Sequence, residues 1–98
     1  MKGIVWGIDR PTCGGRLDTL ITEYELFWNI KPKKIRQSQQ TYEVEFENGD
    51  IWRAVIIAEN VRGNKCNISL VDERISYDLM PIIENCTVCP PYHAINYY

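Results

Sequence analysis

The chain contains no apolar run approaching the roughly 18–20 residues that cross a bilayer. Its start, Met1-Lys2-Gly3-Ile4-Val5-Trp6-Gly7, lacks the long apolar region and cleavage site of a secretory signal. Both absences point to a cytoplasmic protein with its four cysteines reduced. An excess of positive charge is missing too. A formal net charge of −2 gives no global attraction to nucleic acid or to an acidic membrane surface. There is one histidine, His93, and no cysteine or serine has a matching base placed by sequence, so no nucleophilic site is expected. No internal repeat, low-complexity tract or linker divides the 98 residues, which are read as one domain, 1–98.

What is present is an alternation of strand and helix signals. Ile68-Ser69-Leu70-Val71 is a short apolar run that ends in two adjacent acids, Asp72-Glu73. Such a run fits a strand buried on both faces, with its acids at the carboxyl edge where open α/β sheets hold ligands. A second apolar strand is expected at 3–8. The stretch Asp9-Arg10-Pro11-Thr12-Cys13-Gly14-Gly15-Arg16 reads as a glycine loop. Leu17, Leu20, Ile21, Tyr24, Phe27 and Trp28 then recur at the spacing of one helical face, which predicts a helix over 16–30 stopped by Pro32.

Residues 31–40 read as a polar connector carrying Lys31, Lys33, Lys34 and Arg36. Tyr42, Val44 and Phe46 alternate with glutamates, and Asn48-Gly49 predicts a two-residue hairpin loop. That register sets Phe46 against Ile51 and puts Tyr42, Val44, Phe46, Ile51 and Val55 on one face. A short helix over 76–84 and a last strand over 93–97 complete the chain. The expected fold is α/β: a small mixed sheet of four or five strands with two parallel strands at its centre. The long amphipathic helix lies on one face and the short helix beside it.

Three segments give this order a likeness. Arg10-Pro11-Thr12-Cys13-Gly14-Gly15-Arg16-Leu17 follows the first strand. Phe46-Glu47-Asn48-Gly49-Asp50-Ile51 forms the hairpin, and Arg62-Gly63 precedes the run into Asp72-Glu73. Over roughly residues 3–85 the chain resembles the amino-terminal part of P-loop ATPases of the phage terminase large subunit and helicase-like type. The resemblance implies a phosphate loop at 10–17 and a Walker B strand at 68–73, with Asp72 and Glu73 as metal ligand and water-positioning base.

The loop departs from the family's pattern where the chemistry lies. The positions of its first glycine, lysine and hydroxyl residue hold Arg10, Arg16 and Leu17. Leucine cannot ligate magnesium, and arginine's planar fork does not replace the lysine ammonium. ATP hydrolysis is therefore not expected, and no cofactor is required. The reading that follows is a non-catalytic phage or mobile-element protein that binds a macromolecular partner, as anti-CRISPR inhibitors of host defence do.

Several further readings remain open. Gly14, Gly15 and Arg16, with Asp72 and Glu73, are candidates for binding a nucleotide or small anion; the alternative is a tight turn and an acid pair that binds Arg16 or Arg74. Lys31, Lys33, Lys34, Arg36, Arg53 and Arg62 are candidates for contact with nucleic acid or an acidic partner; the alternative is a solvated surface. Cys86 and Cys89 with His93 have zinc-like spacing, and Cys13 or Cys66 could complete four ligands; the alternative is thiols packed as small apolar groups. Tyr92, Tyr97 and Tyr98 are either a contact surface or a cover for a sheet edge. An unpaired hairpin edge would invite a homodimer. No membrane contact is expected.

Overall fold

A computed structural model describes residues 1–58, 64–88 and 94–98. In chain order the elements are β1 (Lys2–Gly7), α1 (Arg10–Trp28), β2 (Pro32–Gln37), β3 (Tyr42–Phe46), β4 (Ile51–Ile56), β5 (Ile68–Val71), a 3-10 turn (Tyr77–Leu79), α2 (Met80–Cys86) and β6 (Ala94–Tyr97). They form one sheet of six strands in the order β2-β3-β4-β1-β5-β6. Six strands replace the expected four or five because the segment taken for a connector is itself strand β2. Only β3 runs against the rest. The expected parallel pair is central: β1 lies between β4 and β5 and is parallel to both.

Successive side chains of a strand point to opposite faces, and β1 uses both. Val5 joins one core with Leu17, Leu20, Tyr24, Tyr42, Val44, Phe46, Trp52 and Ala54, roofed by α1. Ile4 and Trp6 join the other with Val71, Ile75, Met80, Ile82 and Ile83, roofed by α2 and the turn before it. The two helices thus cover opposite faces, whereas the sequence reading placed them side by side. Across β2, β3 and β4 the face away from α1 carries Lys34, Arg36, Glu43, Glu45 and Arg53. Charged side chains keep that surface open to solvent.

Helix α1 begins at Arg10, six residues before the expected start. Asp9 caps it: its Oδ1 accepts from Thr12 N at 2.8 Å, and Pro11 sits in the first turn, where no amide is needed. The other end is closed by Asn29 in a left-handed conformation (φ 53°). Asn29 N donates to Glu25 O and Ile30 N to Tyr24 O, both at 3.1 Å. Pro32 follows as the first residue of β2 and is not what stops the helix. The buried stripe is Cys13, Gly14, Leu17, Leu20 and Tyr24. Phe27 and Trp28, expected on that face, are instead 66% and 60% exposed.

The hairpin register differs by one residue from the expected one. Tyr42, Val44 and Glu45 lie opposite Ala54, Trp52 and Ile51. Phe46 N donates to Asp50 O at 2.8 Å, and Gly49 N to Phe46 O at 2.9 Å. The loop is therefore Glu47-Asn48-Gly49, with Gly49 at φ 93° as the bulge residue. A one-residue slip flips every side chain, so Trp52 and Ala54, not Ile51 and Val55, enter the core. Gly49→Ala is expected to destabilise the protein by about 1–2 kcal/mol, the cost of forcing an L side chain to positive φ. Chemical denaturation measures it.

The hairpin is not an edge of the sheet, which removes the premise offered for a homodimer. β3 is covered by β2, and the outer strands are β2 and β6. β2 guards its edge with Pro32, an irregularity between Pro32 and Lys34, and three cations. No helix among the described residues is long and apolar enough to cross a membrane.

Candidate functional site

The carboxyl ends of β1 and β5 lie side by side, so Asp9 and Asp72 emerge at the same edge of the sheet. Asp72 is 2% exposed. Its Oδ1 accepts from Arg74 N at 3.0 Å and Arg74 Nε at 3.1 Å. Its Oδ2 accepts from Arg74 Nη2 at 3.0 Å and Ile8 N at 3.4 Å. A carboxylate offers about four acceptor sites, and these donors occupy them. Burial pushes the Asp72 pKa up, but the Arg74 side chain, the Arg74 amide and the Ile8 amide outweigh it, and the net shift is downward. Arg74 is steadied from the far side by Thr12 Oγ1, which accepts from Nη2 at 2.7 Å.

The geometry thus gives Asp72 a structural role: it ties β5 to the β1–α1 junction. Glu73 is exposed, and its amide donates to Tyr98 O at 2.9 Å. Arg16 does not join the acids. It pairs with Glu23 at 2.7 Å along the helix, with its guanidinium 6.0 Å from the Tyr98 ring centroid.

Gly14 and Gly15 are inside α1, so the glycine loop expected at 9–16 does not exist. Their amides belong to the helical ladder and cannot cradle an anion. At the helix start, Thr12 N and Cys13 N are already bonded to Asp9, and a carboxylate stands where an anion would sit.

The basic candidates divide. Lys34 lies opposite Glu45, and Arg36 and Arg53 lie opposite Glu43, so all three share the open sheet face with glutamates between them. Lys33 pairs with Glu45 at 3.8 Å, and Lys31 N donates to Glu47 Oε1 at 3.1 Å. Arg62 lies outside the described residues.

Cys89, His93 and Tyr92 also lie outside the described residues. Cys86 and Cys66 are buried in the core under α2, and Cys13 in the core under α1, so Cys13 cannot complete a set with Cys86. Burial pushes the Cys13 thiol up, away from a reactive thiolate. Among the described residues no group of three or more His, Cys, Asp or Glu side chains could hold a metal ion. Tyr97 is 61% exposed. Tyr98 is tucked in, its hydroxyl donating to Trp6 O at 2.7 Å.

Arg10 was passed over in the sequence as the stand-in for a loop glycine. It opens α1 with its guanidinium 4.8 Å from the centroid of the Tyr42 ring. Its Nε is buried and has no hydrogen-bond partner among the described residues. A capping Asp9 followed by Pro11 and Thr12 is the signal that would have started the helix here.

No family model matches the chain, and no curated protein or solved structure is significantly similar to it.

Replacing Arg74 by alanine tests the structural reading of Asp72. The Asp72 pKa is lowered in the folded state, so its contribution to stability is present above the unfolded pKa, about 3.9. It is lost as pH falls through the lower folded value. Without Arg74 the buried carboxylate keeps its desolvation and loses its charge partner. The variant is expected to be less stable than the parent at neutral pH, with the gap narrowing below about pH 4 as Asp72 protonates. Thermal melts across pH measure this; a gap that does not depend on pH would refute it.

Proposed function

We propose that this is a small non-catalytic protein of phage or mobile-element type that works by binding a macromolecular protein partner. An inhibitor of a host enzyme or defence complex works in this way. The observation that carries the reading is the last turn of α1. Leu26, Phe27 and Trp28 are 73%, 66% and 60% exposed. Phe27 and Trp28 meet edge-on with ring centroids 6.0 Å apart, and Trp28 meets the buried Tyr24 edge-on at 5.2 Å. Large apolar side chains set side by side on a rigid helix end are what protein interfaces use as anchors. The occupied carboxylate of Asp72 and the missing phosphate loop support a role without chemistry.

The test is capture of a partner from the native host by the full chain, compared with the double variant Phe27→Ser, Trp28→Ser. Both side chains are exposed, so the variant is expected to keep stability to within about 0.5–1 kcal/mol while losing the captured protein. Undiminished capture places the contact elsewhere. Magnesium-dependent ATP turnover by the parent removes the reading.

A second reading, a nucleic-acid accessory protein, is favoured by Lys34, Arg36 and Arg53 sharing one open face. It requires affinity that falls steeply with salt, and a flat response excludes it. The interleaved Glu43 and Glu45 rank it second.

A further inference from the structure

We infer that the notch beyond the start of β3 is a phosphate-binding site, built by Arg10 and Arg53. Its cause is a mismatch of strand lengths. β3 begins at Tyr42, opposite Ala54, and β4 runs on through Val55 and Ile56. The chain before Tyr42 turns away, with Ser38 N donating to Thr41 O at 2.7 Å and Ser38 Oγ accepting from Gln40 N and Thr41 N. A cleft of about 250 Å³ is left, lined by Arg10, Gln40, Thr41, Tyr42, Arg53 and Asn64 among others. It opens at the carboxyl end of β4, beside the start of α1, the side of a parallel sheet where ligands bind.

Among the described residues the lining of this cleft carries no carboxylate. Among the described residues neither Arg10 nor Arg53 has a carboxylate within ion-pair distance. Arg53 Nη1 donates to the neutral Asn64 Oδ1 at 3.2 Å. Asp18 is nearby but is held by the Tyr42 hydroxyl. Glu43 lies opposite Arg53 in the ladder and shares the open sheet face with it, but it is not part of the lining of this cleft. Arg10 is also seated on purpose-made space. A Cβ on Gly14 would come within 1.9 Å of Arg10 Nη1, so the glycine is what lets the guanidinium lie down against the helix. Its buried Nε finds no acceptor among the described residues.

Two guanidiniums line one notch, Arg10 from the α1 face and Arg53 from the open sheet face, and a phosphate dianion seated there has oxygens enough to meet both. The volume lies below the roughly 300–1,000 Å³ of pockets for drug-sized ligands. The notch therefore holds a phosphate group or a small phosphorylated metabolite and not a whole nucleotide. The amides of Gly14 and Gly15 take no part, and the inference does not depend on the partner reading above.

The test is calorimetric titration of the full chain with inorganic phosphate, pyrophosphate and acetate. Pyrophosphate is expected to bind at one site per chain, phosphate more weakly, and acetate not at all. Arg10→Gln and Arg53→Gln are each expected to weaken binding by about tenfold, since each removes a charge-assisted fork. Gly14→Ala is expected to do the same by displacing Arg10, while Gly15→Ala, with open space around its Cβ, and Arg16→Gln leave binding unchanged. If Arg10→Gln disturbs the fold, as circular dichroism reports, the exposed Arg53→Gln carries the test. Absence of saturable heat, equal affinity for acetate, or full binding by Arg53→Gln overturns the proposal. A single-stranded oligonucleotide that outcompetes pyrophosphate per phosphate group overturns the assignment to a small ligand.

Discussion

Trp6→Ala is expected to destabilise the protein by about 3–5 kcal/mol, the range for truncating a buried aromatic. For a domain of this size that is a large part of the total, since native stability is only about 5–15 kcal/mol. Trp6 is 0% exposed and stands on the central strand, under α2. Its loss opens a cavity between β1 and the helix that neither can close, because β1 is pinned by ladders on both sides. It also breaks a buried polar relay. Trp6 Nε1 donates to Ser69 Oγ at 3.0 Å, Ser69 and Thr87 hydroxyls lie 2.7 Å apart, and Thr87 Oγ1 donates to Ile83 O at 2.7 Å. Ser69→Ala isolates the polar part. It leaves the indole N–H buried without an acceptor and is expected to cost about 1–3 kcal/mol. Urea denaturation with both variants separates the two contributions; a Trp6→Ala loss no larger than that of Ser69→Ala would mean the site collapses without a void.

The parts of this fold that could be read in the sequence are those set by local pattern. Apolar runs marked β1 and β5, and the Tyr42-Val44-Phe46 alternation marked β3. The parts that could not be read depend on a partner far along the chain. Lys33-Lys34-Ile35-Arg36 has nothing strand-like in its composition; it is a strand because the outer edge of β3 needed hydrogen bonds and its glutamates drew the cations. The hairpin slip is different, since the sequence held the answer. The segment 51–56 offers two alternating faces, Ile51-Arg53-Val55 and Trp52-Ala54-Ile56. Only the second keeps a charged side chain out of the core, and Arg53 should have decided it. The early start of α1 was legible in the same way, from Asp9, Pro11 and Thr12.

The candidate site was less legible, for a physical reason. Asp72 followed by Glu73 has the same sequence whether it holds a metal or a neighbouring arginine. The difference is Arg74 folding back to take both oxygens, with Thr12 behind it, and that is a matter of coordinates. Arg10 at the start of α1 and Arg53 on β4 line one cleft only because the fold sets those elements side by side, which no spacing rule foretells. The sequence offers Gly14 as part of a cradle for an anion or as a turn residue; inside α1 it leaves room for the Arg10 guanidinium instead.

Gly3 makes the same kind of room in the core, and Gly3→Ala is expected to cost about 3 kcal/mol, the upper part of the range for overpacking. A Cβ there would stand 2.4 Å from two ring atoms of Trp52 and 2.5 Å from a third. The two residues are register partners on β1 and β4, so the indole lies flat across the glycine. The ring cannot simply swing aside. Its Nε1 donates to Tyr24 Oη at 2.9 Å, and Tyr24 Oη donates to Asp50 Oδ2 at 2.8 Å. Tyr24 is itself stacked on Phe46 with centroids 3.9 Å apart. Burial, opposed by the Trp52 bond and aided by Asp50, pushes the Tyr24 hydroxyl up to about 12, so it remains a donor throughout the range where the protein is studied. A methyl group at position 3 must therefore move β1 away from β4 or break this chain of bonds. The double variant Gly3→Ala, Trp52→Phe decides which. Phenylalanine has no N–H to hold it and less ring to clash, so the two substitutions together are expected to cost less than the sum of each alone. A strictly additive pair would show that the glycine and the indole do not compete for the same space.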